Sequence, residues 1–525
     1  MLLIPHSFAM YYFSLIAVLI NIAYFDGSQA KAIWGKPKNL PSSQSRNPLI
    51  VISFDGFRWD YLTRTSTPNF DKFLENGVTA HYGLRNAFVT KTFPNHFTLA
   101  TGLWEESHGI VANSMYDPVL NQTFVASNLS ANEDPAWFNV GAEPIWVTNQ
   151  LQALNGRSGI IMWVGGGAPI KWVKPSRYIH YDTNVKNETK IDMLIDWFTD
   201  EYPINLGMIY FDQPDGFGHN YGPDSPQVTG MIGGLDKVVG YLLTRLEEKG
   251  LLDVMNIILT SDHGFTNTPA EKMIHLDDYI DPDSYSMPAA SPIASIWPQE
   301  GKLEEIYRNL TAAAKINGNF TVYKREQVPP YFHYTNNRRI PPVLAVAADT
   351  FSFCTGACVP YEHGDHGYDN RLQDMHPFFL AMGPSFKKNF SVDTFDNVDV
   401  YPLMCHLLGL TPAANNGSLT VVSQLLVEAT EDSRILIATY IFSAIFIIVV
   451  GSVFAIGASR FLFCNKNTNL REYATIADRP TLAMESTEIN TNRNGSATAS
   501  SEMLSSKLRD SKIPLLLAQE GDSSS

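Results

Sequence analysis

The chain has 525 residues, 45% of them hydrophobic, and a formal net charge of -15. That length can bury a large core and allows more than one domain. The acidic balance excludes nucleic-acid polymers and anionic membrane surfaces as principal partners, but not small anionic substrates, because bound divalent cations reverse a local field.

Residues 1–30 carry an apolar stretch followed by Ser28 and Ala30, small residues at cleavage positions, and read as a secretion signal. The basic flank is nearly absent, resting on His6 and the amino terminus, so an uncleaved anchor is the alternative. A linker, 31–46, leads into a region spanning 47–411 in which apolar strands alternate with helices. "LIVISFDGF", "INLGMIYFDQPD" and "VMNIILTSDHGF" are apolar runs that stop at acidic or His residues. They have the pattern of buried parallel strands. Between the last two, "SPQVTGMIGGLDKVVGYLLTRLEEKGLL" has the spacing of an amphipathic helix ending at Gly250. "RNAFVT" looks strand-like, and Thr92-Phe93-Pro94 after it reads as a strand end. The expected class is α/β, a mostly parallel sheet with helices on both faces, its ligands beyond the carboxyl ends of the strands.

Residues 412–434 read as a stalk. Ile435 to Ser459 lacks charges and is long enough to cross a bilayer. Arg460, Lys466, Arg471 and Arg479 follow it, which places a Ser/Thr/Asn-rich tail, 460–525, in the cytosol. The expectation is a single-pass type I protein of the cell membrane with its catalytic region extracellular. Asn121, Asn128, Asn187, Asn309, Asn319, Asn389 and Asn416 head glycosylation triplets on the outer side, whereas Asn494 falls on the cytosolic side. Cys354 and Cys358 are spaced to close a tight loop, Cys405 reads as a buried thiol, and Cys464 is a candidate palmitoylation site. Tyr473 to Ile476 has the form of an endocytic adaptor signal, and "IPLLL" loosely that of a dileucine.

Chemistry concentrates at the strand ends. Asp215 and His219 flank two glycines in an expected loop, Asp262 adjoins His263, His366 lies in "HGDHGYDN" with His363 as its rival, and Asp55 ends the first strand. Mixed carboxylate and imidazole sets suit zinc, and enough ligands are present for two ions. Two close metals suit phosphoryl chemistry, which then needs an activated nucleophile, the role open to Thr92.

"SFDGFRWDYL", "KTFPNHFTLATGLWEESHGIVANSMYDP", "PDGFGHNYGPDSP", "TSDHGF" and "HGYDNRLQDMHPFFLAMGP" together resemble the ectonucleotide pyrophosphatase/phosphodiesterase family of the alkaline phosphatase superfamily, over Leu49 to Leu410. The short ectodomain resembles the fourth and fifth mammalian members. The resemblance implies one zinc held by Asp215, His219 and His366, and a second by Asp55, Asp262 and His263, with Thr92 as nucleophile and further ligand. It favours His366 over His363. Asn113 would hold a phosphate oxygen, and Phe93 would line the nucleotide pocket. The implied reaction hydrolyses nucleotide diesters or dinucleotides to nucleoside monophosphates through a phosphoryl-threonine.

Two stretches depart from the family pattern. "MWVGGGAPIKW" stands where many relatives read "WPG" and then Thr or Ser, and "FDQPD" replaces an "EEPD"-like stretch, which leaves base and substrate preference open. Tyr178 and Tyr181 are candidates for base stacking. Phosphocholine or lysophospholipid hydrolysis is the alternative enzymatic reading, and an adhesion or receptor-like protein with little activity the non-enzymatic one. Thr92 and His96 argue against a sulfatase, which needs Cys or Ser and then Arg at those positions.

Overall fold

The computed structural model describes residues 47–153, 155–356, 363–428, 439 and 441–457. Contacts divide the chain between Glu428 and Ala429. In the first unit eight strands make one sheet: β1 (Leu49–Phe54), β2 (Gly77–Ala80), β3 (Ser158–Ile161), β4 (Arg177–Ile179), β5 (Leu206–Phe211), β6 (Asn256–Thr260), β7 (Phe379–Met382) and β8 (Phe390–Val392). Their spatial order is β8-β2-β7-β6-β1-β5-β3-β4. β7 is antiparallel to both neighbours, while β1 pairs in parallel with β5 and β6. The three apolar runs expected as strands are therefore the central trio.

Both faces of the trio are covered, which is why its sequences are apolar without alternation. Leu49 and Val51 of β1 enter one core, and Ile50, Ile52 and Phe54 the opposite one. The longer helices are α1 (Pro68–Asn76), α2 (Thr92–Thr101), α3 (Ile145–Gln152), α4 (Asn187–Thr199), α5 (Asp215–Tyr221), α6 (Pro226–Glu248), α7 (Leu303–Asn317) and α8 (Val400–Leu408). α2, α3 and α8 pack on the first face, and α1, α4 and α6 on the second. α6 starts where Ser225 accepts from the Val228 N–H with Pro226 at the first helical position, and buries Val228, Ile232, Leu235, Val239, Leu242 and Leu246 along one stripe. A smaller antiparallel sheet, in the order Tyr285–Ser286, Ile293–Pro298, Val343–Ala347, Phe320–Lys324, has its own core beneath α7.

Three expectations are corrected. "RNAFVT" is not a strand: only Leu84–Arg85 pairs, and Thr92 opens α2 instead of closing an extended run. Pro94 sits in the first helical turn, where its missing N–H removes no helical hydrogen bond, so the Thr-x-Pro signal marks a helix start. The expected stalk is folded as far as residue 428. Val422 and Leu425 are buried, Ser418 N–H donates to Asp399 at 2.7 Å, and Asn416 N–H donates to the Gly102 carbonyl at 2.7 Å. Asp215 and His219 occupy α5 and not a loop.

In the second unit residues 441–457 are helical. Among the described residues no helix is long and apolar enough to cross a membrane. The remainder of the expected span, the signal, the linker, Cys358, Cys464, Asn494, the Tyr473 to Ile476 signal and "IPLLL" lie outside the described residues. Cys354 is disulfide-bonded, and Cys405 is a free, buried thiol in α8. None of the seven glycosylation candidates is buried.

One ion-pair cluster fixes a segment that reaches the site. The hairpin of Ser114–Asp117 and Gln122–Val125 follows directly on Asn113. Its Asp117 carboxylate, fully buried, accepts from Arg338 at 2.8 Å and from Arg339 at 2.8 Å. Burial alone would raise this carboxyl, but the two guanidinium groups hold it well below the usual range. Arg339, also buried, donates onward to the Gly109 carbonyl at 2.7 Å and that of Trp137 at 3.0 Å. Asp117→Asn leaves Arg339 without its counter-charge and is expected to cost about 3–5 kcal/mol in urea unfolding at pH 7. Because the folded-state pKa is depressed, the wild-type advantage is present above the unfolded value and shrinks as pH falls below about 4.

Candidate active site

Parallel pairing brings the acidic residues together. β1, β5 and β6 end side by side, and the chain turns immediately after each, so Asp55, Asp215 and Asp262 converge beyond their carboxyl ends. Asp55 N–H donates to the Phe211 carbonyl, and Asp215 N–H to the Asp55 carbonyl at 3.0 Å, which ties the first two turns. Gly56, at φ +69, has its N–H on Asp262 Oδ1 at 3.1 Å, and a Cβ there would stand 3.1 Å from the Asp215 backbone. Ser261 Oγ also donates to Asp262 Oδ1 at 3.0 Å.

Two groups of three ligand-bearing residues result: Asp215, His219 and His366, and Asp55, Asp262 and His263, the candidate atoms of each lying within 4.8 Å of one another. Asp215 and His219 meet because they are four apart on α5, one turn along the same face. His219 and His366 each place Nε2 3.4 Å from Asp215 Oδ1. His263 Nε2 is 3.2 Å from Asp55 Oδ1 and 3.1 Å from Asp262 Oδ2. Adjacent side chains of an extended strand would diverge, but β6 ends at Thr260, and the turn after it aims both Asp262 and His263 inward. His363 is exposed and belongs to neither group.

The donor set fits divalent cations. Nδ1–H of His219 donates to the Gly364 carbonyl at 3.0 Å, that of His263 to Gly264 at 3.0 Å, and that of His366 to Thr90 at 2.9 Å. Each ring is thereby held in the tautomer that leaves Nε2 as a lone-pair donor. Asp55 Oδ1, Asp215 Oδ1 and Asp262 Oδ2 are buried without a hydrogen-bond partner. Burial, with Asp262 and Asp215 beside it, pushes the Asp55 carboxyl up. Burial would lower His263, yet Asp262 and Asp55 push it up to about 10. The cluster thus draws positive charge, and cations with oxygen and imidazole preference meet that demand without protons.

Thr92 is the first residue of α2, and its Oγ1 lies 3.3 Å from His263 Nε2. The amino end of the helix adds partial positive charge at that oxygen. Phe93 N–H donates to Asn113 Oδ1 at 2.8 Å, which fixes the Asn113 amide and leaves its NH2 as a donor. A cavity of about 580 Å³ opens over Thr92, Asp55 and Asp215, with Phe93, Asn113, Tyr178 and Tyr181 all in its lining. Tyr178 donates to Glu133 at 3.2 Å, and Tyr181 to Asp212 at 3.4 Å.

Sequence reasoning missed two supports and one wall. The Tyr210 hydroxyl donates to Asp55 Oδ2 at 2.5 Å, and a lone phenol near the end of an otherwise apolar strand was the available signal. His96, one turn beyond Thr92, donates Nδ1–H to the Thr92 carbonyl at 2.9 Å and accepts from Ser53 Oγ at 2.8 Å. Glu133 had no local pattern to mark it.

Comparison with known proteins follows the same geography. Residues 49–369 match the family model described as type I phosphodiesterase / nucleotide pyrophosphatase. The chain is 44% identical over 381 residues to human ectonucleotide pyrophosphatase/phosphodiesterase family member 5, covering 73% of this chain and 78% of that protein. It is 41% identical over 393 residues to mouse bis(5'-adenosyl)-triphosphatase enpp4, covering 74% and 84%. Among solved structures it is similar to murine ectonucleotide pyrophosphatase/phosphodiesterase 5, an inactive threonine-to-alanine form in complex with AMP, with a TM-score of 0.70 at 42% identity over 73% of this chain and 100% of that one. The extent of these matches establishes that the chain belongs to the type I phosphodiesterase / nucleotide pyrophosphatase family and is a hydrolase of that class.

Proposed function

We propose that the chain is a zinc-dependent nucleotide pyrophosphatase/phosphodiesterase that converts nucleotide diesters or dinucleotides to nucleoside monophosphates through a phosphoryl-threonine intermediate. The observation that carries the reading is the position of Thr92: its hydroxyl opens a helix, 3.3 Å from His263 and beneath a cavity of nucleotide size. Asp215, His219 and His366 would hold one zinc, and Asp55, Asp262 and His263 the other. When bound, the pair supplies Lewis-acid charge for the entering and leaving oxygens of an in-line displacement.

The protein's own groups do the rest. Thr92 Oγ1 attacks phosphorus, the bond to the leaving phosphate or alcohol breaks, the hydroxyl proton passes through solvent to that leaving group, and the threonine carries the nucleoside phosphoryl group. Water then attacks that phosphorus, releases the monophosphate and restores the hydroxyl. The Asn113 amide NH2 and the amino end of α2 bind the non-bridging oxygens as their charge grows. Tyr210 and His96 position Asp55 and the Thr92 turn. Phe93, Tyr178 and Tyr181 line the cavity and are the aromatic rings available to the base. The mouse relative carries a dinucleotide in its name, and the murine neighbour was captured with AMP, which supports nucleotides as the substrate class. We further assign the catalytic domain to the cell exterior, anchored by the apolar stretch at 435–459 and glycosylated at the seven sites. This rests on the sequence: charge asymmetry about that stretch, the leader and the triplets on one side.

Two outcomes are expected with a fragment of residues 31–430 supplied with zinc. Thr92→Ala loses at least about 10³-fold in kcat on a nucleotide nitrophenyl ester, as when a nucleophile is deleted, and quenched wild-type enzyme carries a nucleotidyl adduct on the Thr92 peptide that the variant lacks. Equal turnover by the variant would sink the mechanism, and a preference for nitrophenyl phosphorylcholine would sink the substrate class. Asn113→Ala is expected to lower kcat about 10²-fold with a smaller change in KM, because its donor acts on charge that develops in the transition state.

A further inference from the structure

The glycine-rich stretch "MWVGGGAPIKW" lies where the cavity and the segment around Glu133 meet. Gly167 is packed so closely that a Cβ on it would stand 2.6 Å from Glu133 Cγ and 2.7 Å from the Tyr178 hydroxyl. A side chain at 167 would displace both groups; the glycine is what lets them pair. Tyr178 donates its O–H to Glu133 Oε1 at 3.2 Å, and among the described residues nothing donates to Oε2. Glu133 is half-buried in the cavity lining, on the short 3-10 turn Ala131–Glu133. A carboxylate in this position accepts hydrogen bonds and repels oxygen lone pairs.

Resting on the nucleotide reading of the site, we propose that Glu133, held by Tyr178 in the space that Gly167 leaves, selects nucleotides whose base presents an exocyclic amino group and disfavours thymine and uracil. A base stacked on Tyr178 with its edge toward the ring hydroxyl would meet Glu133, which that hydroxyl contacts at 3.2 Å. Adenine and cytosine bring an amino donor to that edge, whereas thymine brings the O4 acceptor. Glu133 acts on binding and specificity and touches no reacting atom.

The test compares nitrophenyl esters of AMP and UMP, which share the sugar, the leaving group and the reacting phosphorus. Wild type is expected to favour the adenosine ester in kcat/KM by about tenfold or more, with the difference mainly in KM. Glu133→Leu and Gly167→Ala are each expected to bring the ratio close to one. The ratio is the readout, so a variant that had only lost stability would lower both rates alike and keep it, which would overturn the proposal. Equal use of the two esters by wild type would overturn it as well, with hydrolysis intact. Turnover of neither ester by wild type would remove the nucleotide reading and this proposal with it.

Discussion

Three carboxylates facing one another at the ends of adjacent parallel strands, Asp55 and Asp262 buried and Asp215 partly so, are the constraint around which the domain is arranged. Asp55, Asp215 and Asp262 each leave a buried oxygen without a hydrogen bond. Like charges at that spacing, out of water, are costly unless positive charge lies among them. The backbone supports the arrangement with Gly56, whose positive φ admits the Asp215 turn, and with the N–H and hydroxyl donors that hold Asp262 Oδ1. Three imidazoles locked by backbone carbonyls complete it, their Nε2 atoms turned inward.

The position of Thr92, and the nucleophilic role proposed for it, follow from that cluster. A threonine hydroxyl is a weak nucleophile at its free pKa, and the amino end of α2 supplies only part of the needed activation. Its place against the Asp55, Asp262 and His263 group, with Oγ1 3.3 Å from His263 Nε2, sets it beside the atoms proposed to hold a cation. The three strand-end turns rise from a central trio covered on both faces, so the site stands on a well-buried part of the sheet. The hairpin that follows Asn113 is tied instead by the buried Asp117 and Arg339 pair.

Much of this was legible in the sequence, for a physical reason. Strands covered on both faces must be apolar throughout, so "LIVISF" and "NIILT" announce themselves, and polar residues at their ends stand out against that background. The partition of the ligands into two groups came from family resemblance and agrees with the geometry of the two clusters. Local conformation was less legible. Pro94 carries the same signal at a helix start as after a strand, and two glycines suggested a loop where Asp215 to His219 form a helical turn. Residues 412–428 have the composition of a linker, yet Val422 and Leu425 reach a core contributed by distant segments. Glu133 was invisible because its meaning depends on Tyr178 and Gly167, more than thirty residues away in sequence.

If the carboxylate cluster is built for two cations, a purified fragment of residues 31–430 must take up two. Metal analysis of that fragment, stripped with chelator and then equilibrated with zinc and desalted, tests this directly. Two zinc ions per chain are expected, falling to about one in His366→Ala and in Asp262→Asn alike, since each change empties one of two three-residue groups. One ion or none in the reconstituted wild type, or full hydrolytic activity in the stripped protein, would contradict it.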